Sequence, residues 1–300
     1  MQNNKNIINI ICINNDEYTI FTTVMLKSLL LNHGTEEKLN VYILHDGINL
    51  FNKNNLEKAI ACENVSINWI YINNNLLIHL GLPAIYTSLQ IHYYKLFMAH
   101  VLPENTPKAL FIDSDMVILE EISKLWNVGL DGAILAAVQD ARIKVISNDQ
   151  AIRNYKALNI PADSHYFNTG VMLIDLPGWR KERISERSLE CLEANKDYVH
   201  NREQYALNVI FLNLWKELDS CWNQFPETKK ITPCIIHYAG WWAKTFDESY
   251  KKNLPEEFFY YAERTSWNSG NVKAEIERRA RVRAIKVFLV KVLRKLKLKK

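Results

Sequence analysis

Two aspartates separated by one residue stand directly after an apolar run and are the clearest chemical feature of the sequence. The run at 109–112 has the composition of a buried strand, and Asp113 and Asp115 follow it at once. Alternate residues of an extended segment point to the same side, so both carboxylates can approach one cation. Carboxylate oxygens are hard ligands that suit Mg²⁺ and Mn²⁺. We therefore predict a divalent metal site, the alternative being a strand end with two solvated acids.

A second candidate ligand follows another short apolar run. His237 ends this run and is followed by Gly240 and Lys244. A glycine lets the backbone approach a phosphate closely, and a lysine supplies a cation. A single histidine after a strand is often only structural. If this imidazole joins the two aspartates, the mixed nitrogen and oxygen ligands favour Mn²⁺ over Mg²⁺.

These candidate residues need a scaffold, and the apolar runs predict one. Short β-branched runs alternate with segments of helical periodicity. We predict strands at 6–13, 39–44, 65–72, 108–112, 133–138 and 170–176, and helices at 18–33, near 52–61 and at 88–101. Such alternation indicates an α/β protein with a parallel sheet and helices on both faces. Ligands of such sheets bind beyond the carboxyl ends of the strands, where the loops at 14–17 and 113–115 lie.

The composition limits the class of protein. The chain has 300 residues, 48% hydrophobic and 23% charged, which is typical of a globular protein and excludes a disordered one. No run approaches about 18 uninterrupted apolar residues, and the first residues lack the sections of a signal peptide, so we expect a cytoplasmic protein. The five scattered cysteines form no CxxC pair, and we expect them to be inert thiols.

Three sequence blocks together resemble glycosyltransferase family 8, in particular its bacterial lipopolysaccharide galactosyltransferases and glucosyltransferases. They read FIDSDMVIL at 111–119, YFNTGVMLIDL at 166–176 and HYAG at 237–240, and the likeness spans roughly residues 7–250. The resemblance implies a GT-A fold with a mixed, mostly parallel sheet flanked by helices. It also implies transfer of a hexose from a UDP-sugar to a saccharide acceptor with retention of configuration. The setting would be lipopolysaccharide, lipooligosaccharide or other surface-glycan synthesis.

The same resemblance assigns roles to individual residues. The metal, Mn²⁺ or as second choice Mg²⁺, is held by Asp113, Asp115 and His237. The nucleotide-binding residues are Ile13, Asn15, Glu17, Tyr18, Ser114, Gly240 and Lys244. The sugar-binding residues are Lys95, Asp140, Asn168, Glu203 and Gln204, and Asp140 and Gln204 are also the catalytic candidates.

The sequence departs from the family pattern at several positions, among them Lys95 and Tyr205. Lys95 stands where relatives often carry an arginine, which keeps the positive charge but loses the bidentate fork. Tyr205 stands where relatives carry a carboxylate. This second change favours a front-face mechanism over one with a covalent intermediate at that position.

The last part of the chain differs in charge from the rest. Residues 273–300 carry twelve Lys or Arg against two Glu, and apolar residues recur there at helical steps from Ile285 to Leu296. We therefore divide the chain into a GT-A catalytic domain, 1–270, and a basic amphipathic helical tail, 271–300. The tail suits an anionic membrane surface, at the inner face of the cell membrane, and a lipid-linked acceptor. Docking of the tail on the catalytic domain is the alternative, and no nucleic acid partner is expected because no aromatic residues interleave with the late basic cluster.

Two other functions fit the aspartate motif. An apolar strand followed by Asp113 and Asp115 also opens haloacid-dehalogenase-like phosphatases, in which Asp113 would be the nucleophile. Against this reading, three strand–helix units precede the motif, and no convincing downstream pair of aspartates follows. A membrane-recruited binding module, in which the two aspartates are only structural, is the non-enzymatic alternative.

Overall fold

The computed structural model describes residues 7–73, 75–76, 91–228, 232–239, 256–265, 267, 278, 281–282 and 285. The strands are β1 (Ile7–Asn14), β2 (Lys38–His45), β3 (Val65–Tyr71), β4 (Lys108–Ile112), β5 (Met116–Ile118), β6 (Leu135–Gln139), β7 (Phe167–Asp175), β8 (Lys216–Glu217) and β9 (Ile235–His237). The α-helices are α1 (Thr19–Asn32), α2 (Leu50–Ile60), α3 (Met98–Val101), α4 (Ile122–Trp126), α5 (Leu176–Lys181), α6 (Ile184–Ala194), α7 (Arg202–Ile210) and α8 (Glu256–Ala262). There are also 3₁₀ helices at Ile91–Phe97, Ser220–Asn223 and Pro226–Thr228.

The main sheet has seven strands in the order β3-β2-β1-β4-β7-β6-β8. β1 pairs in parallel with β2 and β4, and β2 pairs in parallel with β3. β7 lies between β4 and β6 and is antiparallel to both, while β8 pairs in parallel with β6. The sheet is therefore mixed and mostly parallel, which confirms the fold class that the family resemblance implies.

The direction of β7 is where the strand–helix alternation alone is wrong, because that pattern predicts a wholly parallel sheet. A parallel neighbour needs a crossover that carries the chain back to the opposite edge of the sheet. Residues 140–166 instead stay beside the end of β6. The backbone N–H of Asp140 donates to Tyr166 O at 2.9 Å, and that of Tyr166 donates to Lys144 O at 3.0 Å. β7 consequently enters the sheet from the edge at which β6 ends.

The central strands are buried on both faces. Ile10 and Cys12 of β1 face one apolar cluster and Ile11 faces the other, and all three are fully buried. Continuous apolar, β-branched strands are what a sheet covered on both sides requires. α1 is also buried along most of its length, because it packs against α2, β5 and α8.

A small second sheet stands beside the main one and consists of β5 and β9. The two strands are antiparallel, with Met116 opposite His237. On the other side of β9, the backbone N–H of His237 donates to Gln224 O at 2.8 Å, and that of Gln224 donates to Ile235 O at 3.0 Å. β9 is therefore fixed along both of its edges.

Most predicted strands and helices agree with the structure to within a few residues. The predicted helix at 88–101 differs: the described part is 3₁₀ over Ile91–Phe97 and α-helical over Met98–Val101, and residues 88–90 lie outside the described residues. The sequence analysis did not predict β5 and β8. These strands have three and two residues, which is too short for a periodic pattern.

Most of the predicted basic tail lies outside the described residues. Residues 278, 281, 282 and 285 are helical and exposed. The division of the chain at residue 270 therefore remains a prediction. Among the described residues, no helix combines the length and the apolar character needed to cross a membrane.

Candidate active site

The candidate site residues meet at one edge of the main sheet. β1, β4 and β6 end at this edge, and β7 begins there because it is antiparallel to its neighbours. Asp113 follows β4, Asp140 follows β6, and Asn168 is the second residue of β7. The order of the strands thus gathers polar residues from three distant parts of the sequence.

The three predicted metal ligands lie together. Asp115 directly precedes β5 and His237 ends β9, so the pairing of these two strands brings the imidazole to the aspartates. The possible ligand atoms of Asp113, Asp115 and His237 lie within 4.8 Å of one another. His237 Nε2 is 3.4 Å from Asp115 Oδ1 and 3.9 Å from Asp113 Oδ2. Two carboxylates and one imidazole nitrogen make a donor set that fits a divalent cation such as Mn²⁺.

A buried lysine lies against the same aspartates. Lys95 Nζ is 3.0 Å from Asp113 Oδ1 and 3.4 Å from Glu203 Oε1, and it donates to Thr169 O at 3.3 Å. Burial acts to lower the pKa of Lys95, but the carboxylates of Asp113 and Glu203 outweigh it and raise that pKa. Lys95 is therefore a cation inside the site.

The site contains more negative than positive charge. Burial raises the pKa of Asp113 against the charges of Lys95 and His237. Burial also acts to raise the pKa of Asp115, but hydrogen bonding and charge from His237 outweigh it and lower that pKa. When ionised, Asp113, Asp115 and Glu203 are three carboxylates that face the ammonium group of Lys95 and the imidazole of His237. A bound divalent cation would balance this excess.

The predicted sugar-binding residues form one hydrogen-bonded layer next to the aspartates. Asp140 is 3% exposed, and its Oδ2 accepts from Asn168 Nδ2 at 2.9 Å and from Gln204 Nε2 at 3.5 Å. The other end of the Gln204 amide accepts from Thr169 N at 3.0 Å. Through Thr169 and Glu203 this layer also contacts Lys95. The structure thus brings together all five residues that the resemblance assigns to the donor sugar.

Three residues of this region were missed by the sequence analysis. Asn223 Oδ1 lies 2.9 Å from His237 Nδ1, and the ring of Phe225 has its centroid 5.3 Å from that of His237. Gly170 is the third: a Cβ at this position would lie 2.6 Å from His237 Cε1. An asparagine in a four-residue 3₁₀ helix carries no periodic signal. The sequence places Gly170 at the start of a predicted strand and gives no indication of the imidazole beside it.

The predicted nucleotide loop is braced by its own side chains. Asn15 Oδ1 accepts from the backbone N–H of Tyr18 at 2.9 Å. The Ser114 hydroxyl donates to Ile13 O at 2.5 Å and so joins the aspartate motif to the end of β1. Asp16 of this loop has no role in the sequence analysis, and its carboxylate accepts from Asn49 Nδ2 at 2.7 Å. Gly240 and Lys244 lie outside the described residues.

Tyr205 points away from the site, although it follows Gln204 directly. Its side chain is fully buried in an apolar cluster with Ile146 and Tyr166, and its hydroxyl donates to Asn154 Oδ1 at 2.7 Å. Tyr205 therefore packs against the segment between β6 and β7.

Two of the cysteines are not isolated from each other. The Sγ atoms of Cys221 and Cys234 are in contact, and the backbone N–H of Cys234 donates to Cys221 O at 2.8 Å. Cys221 lies in the same 3₁₀ helix as Asn223, and Cys234 directly precedes β9. Both are free cysteines, and the expectation that they are inert thiols remains a prediction.

Known proteins resemble the chain over most of its length. General stress protein A of Bacillus subtilis (strain 168) is 28% identical over 287 residues, which cover 88% of this chain and 96% of that protein. Lipopolysaccharide 1,2-glucosyltransferase of Escherichia coli (strain K12) is 26% identical over 234 residues, or 72% of this chain and 66% of that protein. Neither relative is a phosphatase by name.

Solved structures share the fold. An active-site mutant of LgtC superposes with a TM-score of 0.68 at 21% identity, covering 86% of this chain and 96% of that chain. The bifunctional glycosyltransferase WbbM superposes with a TM-score of 0.73 at 19% identity, covering 93% of this chain and 52% of that chain. These neighbours have the GT-A fold, in agreement with the sheet described above.

A family profile gives the decisive match. The profile described as "Glycosyl transferase family 8" matches residues 9–248, a span that includes both aspartates of the motif, His237 and the hydrogen-bonded layer around Asp140. The phosphatase alternative finds no support in these matches. The chain belongs to glycosyltransferase family 8.

Proposed function

We propose that this protein transfers a hexose from a UDP-hexose to a saccharide acceptor in a metal-dependent reaction that retains the anomeric configuration. The acceptor belongs to lipopolysaccharide, lipooligosaccharide or another surface glycan. The observation that carries the proposal is the convergence of Asp113, Asp115 and His237 beside the layer that contains Asp140 and Gln204. Donor phosphates and donor sugar would thus be bound at adjoining places on one sheet edge.

The candidate metal site is assigned to Asp113, Asp115 and His237. We assign Mn²⁺ to it, with Mg²⁺ as second choice, because an imidazole nitrogen accompanies the carboxylates. Breaking the bond between the sugar and the diphosphate develops negative charge on the departing UDP, and a bound dication stabilises that charge.

The residues beside this site would hold the sugar. Asp140 accepts hydrogen bonds from two backbone N–H groups through Oδ1, so its carboxylate is fixed before a ligand arrives. We assign Asp140, Asn168 and Glu203 to the donor hydroxyls, and Gln204 to the face of the anomeric carbon. Lys95 neutralises part of the carboxylate charge and so holds Asp113 and Glu203 in place.

The nucleotide would lie across the loops that follow β1 and β4. We assign uridine and ribose contacts to Ile13, Asn15, Glu17 and Tyr18. Ser114 holds these two loops together through its bond to Ile13 O. Phosphate contacts are assigned to Gly240 and Lys244, which lie beyond His237 in the sequence.

The proposal is tested by incubating the full chain with a panel of UDP-hexoses and Mn²⁺ and measuring release of UDP. We expect slow UDP release from one hexose, faster release with its saccharide acceptor, and an α-linked product by NMR from an α-linked donor. Release of phosphate from a monoester, with no UDP from any donor, would refute the transferase assignment. Asp113→Asn and Asp115→Asn should each abolish the metal-dependent activity while the circular dichroism spectrum stays unchanged.

We further propose that the basic tail, 271–300, associates with an anionic membrane surface at the inner face of the cell membrane. Each Lys or Arg near such a surface contributes about 1 kcal/mol. The full chain should therefore float with anionic vesicles and remain behind with neutral ones. A variant in which Arg294, Lys295 and Lys297 are replaced by Gln should float less. Equal recovery of both proteins with anionic vesicles would contradict the assignment and favour docking of the tail on the catalytic domain.

A further inference from the structure

A continuous line of side chains joins the donor-sugar layer to the candidate metal ligand. Asn168 Nδ2 donates to Asp140 Oδ2 at 2.9 Å. Asn223 Nδ2 donates to Asn168 Oδ1 at 2.9 Å. His237 Nδ1 lies 2.9 Å from Asn223 Oδ1. We call these four residues the amide chain.

The direction of every bond in the amide chain is determined. The backbone N–H of Gly170 donates to Asn168 Oδ1 at 2.9 Å, which identifies the oxygen end of that amide. The amino group of Asn168 must then face the Asp140 carboxylate, which can only accept when ionised. Asn223 must turn its own amino group to Asn168 and its oxygen to His237. His237 Nδ1 therefore carries the proton and donates.

The imidazole itself has little freedom to move. His237 and Asn223 are each 3% exposed. The ring of Phe225 lies at a tilt of 35° to that of His237, and a Cβ at position 170 would come within 2.6 Å of the imidazole, so there is no spare room on that side. These contacts fix the plane of the imidazole but not which of its two nitrogens faces the aspartates. The hydrogen bond to Asn223 determines that Nε2 does so.

We infer that Asn223 is a positioning residue that presents His237 Nε2 to the metal and links metal binding to recognition of the donor sugar. The inference rests on the proposed function. Because Nδ1 donates to Asn223, Nε2 is the nitrogen that faces Asp113 and Asp115, and in the neutral imidazole it has the lone pair that a ligand of a divalent cation requires. Because the same Asn223 amide also holds Asn168, a change there is transmitted to Asp140 on the sugar side.

Two substitutions of Asn223 separate its effect on metal binding from its effect on recognition of the donor sugar. Asn223→Ala removes the acceptor for His237 and the donor to Asn168. Loss of such a partner of a ligating histidine weakens metal affinity by about 10- to 100-fold. Asn223→Asp keeps an acceptor for His237 Nδ1–H but has no amino group for Asn168. We expect Asn223→Asp to bind Mn²⁺ within a few-fold of the wild type, yet to bind a UDP-hexose more weakly while its affinity for UDP is retained.

The measurement is titration of the full chain with Mn²⁺ in the presence of UDP, with free Mn²⁺ read by electron paramagnetic resonance. A matched control is Asn9→Ala, since Asn9 is also a buried asparagine, 7% exposed, but lies in β1 and bonds to Lys108 O. The control should leave Mn²⁺ affinity unchanged. Thermal unfolding by circular dichroism shows which variants are folded.

The outcomes distinguish the inference from the proposed function. If folded Asn223→Ala binds Mn²⁺ as tightly as the wild type, the inference is overturned and the proposed function stands. If Asn223→Ala fails to fold, Asn223→Asp decides: equal affinity of this variant and the wild type for the UDP-hexose would overturn the link to the sugar. A wild-type chain that takes up neither Mn²⁺ nor Mg²⁺ with UDP would contradict the metal dependence of the proposed function and the inference with it.

Discussion

Gly170 offers the sharpest test of how tightly the candidate metal site is built. It lies in β7, its carbonyl accepts from the Asp113 backbone N–H at 2.8 Å, and its Cα faces the imidazole. A Cβ there would lie 2.6 Å from His237 Cε1, 2.7 Å from Met116 Cε and 2.8 Å from Asn168 Oδ1. All three distances are shorter than a Cβ tolerates, so Gly170→Ala forces its neighbours to move.

The structure indicates which neighbour moves and at what cost. Met116 is flexible and can yield, whereas His237 is confined by Phe225 and Asn223 and must recede from 2.6 Å to about 3.4 Å, an ordinary contact distance. Overpacking costs about 1–3 kcal/mol, and replacing a glycine recovers about 0.4–1 kcal/mol through the unfolded chain. We therefore expect the free energy of unfolding to fall by about 1–2 kcal/mol.

The effect on metal binding should be larger than the effect on stability. Metal–ligand distances tolerate changes of only about 0.2 Å. We accordingly expect Gly170→Ala to lose about tenfold or more in Mn²⁺ affinity and about a hundredfold in the rate of UDP release. Titration with Mn²⁺ and the UDP-release assay measure both.

The matched control is Gly34→Ala. A Cβ at position 34 would meet its nearest neighbour, Glu121 Oε2, at 3.7 Å, which is ordinary contact. This variant should keep the stability, Mn²⁺ affinity and activity of the wild type. If Gly170→Ala also binds Mn²⁺ and releases UDP like the wild type, the close packing of His237 does not set the geometry of the site and the reasoning is refuted.

Lys95→Met leaves the buried Glu203 without its cation and should lower the free energy of unfolding by about 3–5 kcal/mol in urea titrations. Lys95→Arg keeps the charge and should lose less, and an equal loss in both variants would argue against the charge as the cause. EDTA should lower the melting temperature of protein held with UDP and Mn²⁺, since ligand at 100 times its dissociation constant contributes about 2.7 kcal/mol; an unchanged melting temperature would speak against a bound ion. Mild oxidation by a disulfide reagent should link Cys221 to Cys234 in peptide mass maps and leave exposed Cys62 as a mixed disulfide. Equal mixed-disulfide labelling of all three would contradict this pairing.

The strands that the sequence predicts well are those buried on both faces. β1 reads as an unbroken apolar run because both of its sides meet a core, and such a run needs no knowledge of its partners. The direction of β7 depends on where residues 140–166 return to the sheet, and no local pattern records that path. β5 is held by β9, a pairing between distant segments that neither strand signals on its own.

The candidate site divides in the same way. Asp113 and Asp115 are recognisable because their spacing alone allows both carboxylates to bind one cation. His237 is recognisable because it ends a short apolar strand and is followed by Gly240 and Lys244. Asn223 and Gly170 act through contacts with residues far away in the sequence. The amide of Asn223 and the absence of a side chain at Gly170 matter only because the fold places His237 beside both residues.

The pairing of β5 with β9 also bears on how the protein is made. The aspartates leave the ribosome long before the strand that carries His237, and the small sheet that joins them cannot form until that strand has emerged. A nascent or prematurely terminated chain that stops ahead of residue 235 would have the two acids without the imidazole. A cation site that needs all three side chains is therefore complete only after residue 237 has left the ribosome.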